Sequence, residues 1–154
     1  MATIAAISEL EISLISSFVT LLNEEQEALK VGETSALAEI GAAKTALVEK
    51  LNGLESERRA ALSIAGEQNT REAMSQWLAK HPEELTAAVN WQKLLKLASE
   101  AKQLHELNAG LVAIHLQQTS EALAILTRRL EHDSLYGKNG QAAQISGSRI
   151  VDSA

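Results

Sequence analysis

The chain has 154 residues, a formal net charge of −6, 45% hydrophobic residues, 3% aromatic residues, one proline and no cysteine. That length fits one domain with a real core. The acidic balance speaks against a counterion-displacing nucleic-acid surface, the scarcity of aromatics against a base-stacking platform, and the missing cysteines exclude disulfides and thiol chemistry.

Ala, Leu, Glu, Gln and Lys dominate, and these are good helix formers. Few β-branched and aromatic residues remain for strands. The composition therefore predicts an all-α fold: an antiparallel bundle of three long helices and one short helix over residues 1–134, then a flexible C-terminal tail over 135–154.

The first helix is expected over about residues 4–30. Ile7, Leu10, Leu14, Phe18, Leu21, Leu22 and Leu29 recur at helical spacing. Glu9 and Glu11 interrupt its apolar start, and no basic segment precedes it, so it does not read as a signal peptide. No apolar run is expected to reach the roughly 20 residues of a membrane span, so membrane insertion is not expected and a cytosolic location is. Gly32 stands where a helix C-terminal glycine belongs, and Thr34 suits an N-cap.

The second helix is expected over about 35–65. Leu37, Ile40, Lys44, Leu47, Leu51, Leu54, Arg58, Ala61 and Ala65 step alternately by three and four. This is a heptad seam, and it predicts lengthwise antiparallel packing on a neighbour. Gly41 and Gly53 lie off it. A break follows at 66–69, with Asn69 and Glu72 spaced as a capping pair. A short helix over 70–80 carries Met74, Trp77 and Leu78 on one side.

The fourth helix is expected over about 82–132, with Pro82 at its first position, where a missing N–H costs nothing. Its first part is expected to pack on the Trp77 helix and its second part on the hairpin of the first two helices. Beyond it, Ser134 to Ala154 is rich in glycine and serine, and such a segment cannot offset its ordering entropy alone.

No catalytic or metal site is expected, and no cofactor. His105-Glu106 begins like a zinc-protease helix motif, but Ala109 occupies the second ligand position. His105 and His115 stand nearly three helical turns apart, too far to share a metal. Glu25, Lys44 and Arg58 interrupt apolar stripes. They read either as long side chains snorkelling at the seam edge or, for Glu25 and Lys44, as a pair across the first hairpin that fixes its register. Asn108 is open between a buried polar residue and a groove wall.

Leu135-Tyr136-Gly137-Lys138-Asn139-Gly140-Gln141 resembles the string that follows the last helix in the FlgN family of flagellar export chaperones. Leu104-His105-Glu106-Leu107-Asn108-Ala109-Gly110-Leu111 and Ala122-Leu123-Ala124-Ile125-Leu126 are also similar to that family. So is the hairpin with Glu25, Lys44, Leu47, Leu51, Leu54 and Arg58. The resemblance implies a cytosolic, non-enzymatic chaperone of the hook–filament junction proteins. It would bind their terminal helices, prevent premature assembly and aid delivery to the flagellar export apparatus.

On that reading Leu123, Leu126 and Leu130 share one helix face and form the client surface, with Ile145, Ile150 and Val151 of the tail closing over it. Leu135, Tyr136, Gly137, Gly140 and Gln141 are candidates for docking to the export apparatus. Tyr136 is open between an exposed anchor and a residue that stops the helix and packs locally. The free chain is expected as a monomer or weak dimer. The competing class is a structural coiled-coil scaffold forming an obligate helical oligomer.

Overall fold

The computed structural model describes residues 3–63 and 69–135. Among the described residues the fold is all-α, with four helices: α1 (Ile4–Val31), α2 (Leu37–Ala61), α3 (Thr70–Lys80) and α4 (Leu85–Leu135). The chain divides into two compact units, Met1–Leu111 and Val112–Ala154.

Helix ends follow local chemistry. The Thr3 side chain caps α1 by accepting from the Ala6 N–H at 3.1 Å. Gly32 ends α1 at φ +73°, a left-handed geometry in which a side chain would be strained. The Glu33 N–H then reaches back to the Ala28 carbonyl at 2.9 Å, so the last turn closes on itself. Asn69 caps α3 through the Arg71 N–H at 3.0 Å.

Two expected starts are displaced. The first turn of α2 forms beyond Thr34, whose carbonyl accepts from the Leu37 N–H at 3.2 Å, and α2 starts with no side-chain cap. Pro82 is not the first residue of α4. It sits second in a turn closed by the Glu84 N–H on the His81 carbonyl at 3.0 Å, a place where its fixed φ is equally suited. The helix bonds of α4 then begin at the Glu84 carbonyl.

In the first unit α1 and α2 pack as an antiparallel hairpin. Glu11 pairs with Arg58 near one end, and Glu25 with Lys44 fourteen residues further along each helix. The residues of α4 up to Leu111 run parallel to α1: Asn90 donates to the Ala5 carbonyl at 3.4 Å, and Asn108 to the Leu22 carbonyl at 2.9 Å. The core gathers Ile4 of α1, Met74 of α3 and Ala87, Trp91 and Leu94 of α4, with Leu62, Trp77 and Leu78 packed around them.

By length and composition α1 is apolar enough to cross a membrane, with a mean hydropathy of 1.6. This corrects the expectation that no segment reaches that range. The bundle supplies a reason: α1 is covered by α2 on one side and α3 and α4 on another, and a helix covered from two sides needs a wide apolar arc.

Candidate partner-binding surface

Two polar layers cross the first unit and fix its three long elements. In the first, the Arg58 guanidinium donates to the Glu11 carboxylate, lies over the Trp91 ring at 4.9 Å, and reaches Glu55 at 3.0 Å. Only 3% of the Arg58 side chain is exposed, so Arg58 does not snorkel at the seam edge. Burial pushes the pKa of its guanidinium down to about 10. The charge is therefore carried into the bundle against a desolvation cost, which Glu11, Glu55 and the Trp91 face offset.

In the second layer Lys44 donates to Glu25 at 2.7 Å, and the Asn108 amide donates to Glu25 at 2.9 Å. Asn108 is 2% exposed, which places it in the interior rather than on a groove wall. Its donor hydrogens go to Glu25 and to the Leu22 carbonyl, while its Oδ1 has no hydrogen-bond partner among the described residues. These layers give Glu25, Lys44 and Arg58 tertiary partners. They are structural contacts, and no group of three His, Cys, Asp or Glu that could hold a metal is found among the described residues.

The second unit differs in character. Its described residues, 112–135, belong to one helix, and that helix keeps its apolar residues at the surface. Val112, Leu116, Leu123, Leu126 and Leu130 are 42–66% exposed. With Thr119 they follow a 4-3-4-3-4 spacing, which places all six on one face over eighteen residues, roughly 27 Å. Ile114 and Ile125 are also exposed but lie on the opposite side of the helix.

Asn90 and Asn108 of α4 contact α1, Leu111 is half-buried, and Val112, Leu116, Leu123, Leu126 and Leu130 are exposed. Leu123, Leu126 and Leu130, expected as the client surface, do share one exposed face. Val112 and Leu116 extend that face and were not singled out from the sequence; the unbroken heptad phase across Thr119 is the signal that reaches them. Leu135 is the last residue of α4. Tyr136, Gly137, Gly140, Gln141, Ile145, Ile150 and Val151, like Ala65 of the α2 seam, lie outside the described residues.

An apolar heptad face of this length is the half of a helix–helix interface that a partner completes. A family model described as FlgN protein matches residues 1–144. The chain belongs to the FlgN family. The match runs through both units and includes the whole Leu135–Gln141 string. No curated protein and no solved structure matches the chain. FlgN proteins are flagellar export chaperones, a family of binding proteins rather than of enzymes. In this FlgN protein the candidate binding element is the Val112–Leu130 face of α4.

Proposed function

We propose that this FlgN protein is a cytosolic chaperone of hook–filament junction proteins, binding a terminal amphipathic helix of the unassembled subunit along the Val112–Leu130 face. The observation that carries this reading is the exposed heptad face itself. A client helix that later assembles through an apolar stripe exposes that stripe in the cytosol. A second helix of matching period covers it by laying side chains into the gaps of the first.

The tail belongs to the same proposal. Ile145, Ile150 and Val151 add apolar surface over the bound client. Leu135, Tyr136, Gly137, Gly140 and Gln141 dock the loaded chaperone to the export apparatus. Ordering of such a tail on binding subtracts from the interaction energy and keeps the complex releasable, as export demands.

Co-expression with a junction protein, followed by size-exclusion chromatography, tests the reading. A one-to-one complex is expected with the full chain, and a weaker one when residues 135–154 are removed. Co-elution unaffected by charge placed at Leu123 and Leu126 overturns it.

A further inference from the structure

A second, partly exposed apolar surface lies in the first unit, along the outside of the α1–α2 hairpin. Leu10, Leu14 and Leu21 of α1 line it on one side, and Leu47, Gly53 and Leu54 of α2 on the other. The two stretches share Lys50 in their lining, so they form one continuous groove. These α1 leucines occupy a different face from Ala5, Ile12 and Ile15, which pack with the α3–α4 core. Leu10 is 55% exposed.

The borders of the groove are low for a reason in the sequence. Gly53 sits inside α2, where glycine costs about 1 kcal/mol relative to alanine. A Cβ added there meets nothing within 4 Å, so the α1–α2 packing does not require the glycine. Ala43, Ala46 and Ser17 continue the run of small residues. Half-buried Leu14, Leu21, Leu47 and Leu54 lie deeper in the groove, and exposed small residues (Ser17, Ala46 and Gly53) border it beside Lys50 and Glu57. Small borders let a helix set with large apolar side chains approach closely.

The same chain carries such a helix face. We propose that two copies pair reciprocally, the Val112–Leu130 face of each lying in the α1–α2 groove of the other. The pairing stands whether or not that face also takes an export client.

The areas support this occupant. Five half-exposed side chains present roughly 500 Å² of apolar surface, near the upper end of what a monomer carries. Buried twice, and matched each time by groove surface, they give an interface of roughly 1,500–2,000 Å², the standard size for a stable complex. Pairing the two α4 faces with each other buries only about 1,000 Å², at the lower bound for a specific interface, and leaves both grooves open. Charge does not oppose the exchange: over Val112–Leu130 the helix carries Glu121, Arg128 and Arg129, and the groove is lined by one charge of each sign, Lys50 and Glu57. Reciprocal exchange also closes a two-fold dimer, so association stops at two copies.

The test uses the full chain in sedimentation equilibrium, with two single variants. Leu123→Glu spoils the inserted face and Gly53→Arg fills the groove, while Gly53→Ala is the control for helix stability. The wild type and Gly53→Ala are expected to be dimers that dissociate on dilution. Each single variant is expected to weaken the dimer by at least about tenfold with helical circular dichroism unchanged. Mixing the two variants restores one intact insertion per pair, so the mixture should associate more strongly than either variant alone. A monomeric wild type overturns the proposal, as does a Gly53→Arg dimer as tight as the wild type. A mixture no stronger than its components overturns the reciprocal exchange.

Discussion

The Arg58 guanidinium is paired with the Glu11 carboxylate inside the bundle, with 3% and 6% of the two side chains exposed. A buried pair of this kind is costly to break and cheap to replace, because removing one partner strands the other charge without water. Glu11→Leu and Arg58→Met, each alone, should lower the unfolding free energy by about 3 kcal/mol in urea titrations. The double variant Glu11→Leu with Arg58→Met should recover most of that loss. Additive losses in the double variant would contradict a coupled pair. The lowered pKa fixes the sign of the pH dependence: desolvation counts against the charged guanidinium below about pH 10, and the penalty fades as pH rises above about 10 toward the ordinary arginine range.

Glu25 sits between Lys44 and Asn108 and so ties α1 to both α2 and α4. Replacing Glu25 and Lys44 together with leucine should raise stability while loosening the hairpin register, since polar seam residues select one alignment at a cost in stability. The chain contains no cysteine, so spin labels can be placed cleanly at Glu24→Cys and Thr45→Cys, both exposed positions. The inter-label distance distribution should broaden in the leucine pair. An unchanged distribution would assign the pair no role in register.

What the sequence displays here depends on whether a pattern repeats. The α2 seam is visible because Leu37, Ile40, Leu47, Leu51 and Leu54 keep phase, and the structure turns that row toward its neighbours. Glu11 was not legible as the partner of Arg58, because a lone acid in an apolar start looks like an interruption. Its match appears only once Glu25 and Lys44 set the register, with Glu11 and Arg58 each fourteen residues beyond. Trp91 falls in helical phase with Ala87 and Leu94, which marks a buried stripe, but its contact with Arg58 depends on where α4 lies, which no local pattern encodes. The exposure of Leu116 to Leu130 was equally hidden. An apolar helix face looks the same whether its partner is in the chain or outside it.

Gly32 is the one described glycine at positive φ, +73°. Space does not require it, since an added Cβ meets nothing within 4 Å; the backbone conformation does. Gly32→Ala should therefore cost about 1 kcal/mol, through strain alone. Thermal unfolding should show a drop of several degrees, and Gly32→Asn, which tolerates the left-handed region better, a smaller one.

Tyr136 directly follows the last described residue of α4 and is the single tyrosine of the chain. Under the proposed docking role, Tyr136→Ala should leave helicity and client binding near wild type and lower export of the client. Normal motility in cells carrying that variant would assign Tyr136 to local packing instead.

The two sides of the α4 extension give a comparison within one helix. Leu123 and Leu126 stand on the heptad face, whereas Ile114 and Ile125 are exposed to a similar degree on the opposite side. Stripping apolar surface from either side removes comparable hydrophobicity, so only geometry separates them. Leu123→Ala with Leu126→Ala should weaken client binding by about tenfold to a hundredfold, on the order of 1 kcal/mol per half-buried leucine. Ile114→Ala with Ile125→Ala should change it by less than about threefold. Neither pair takes part in the core of the first unit, so its unfolding midpoint should stay within a degree or two of wild type. Isothermal titration with a peptide from the client's terminal helix reads the affinities directly. Equal losses from the two pairs would mean that the helix binds through general stickiness and not through one face.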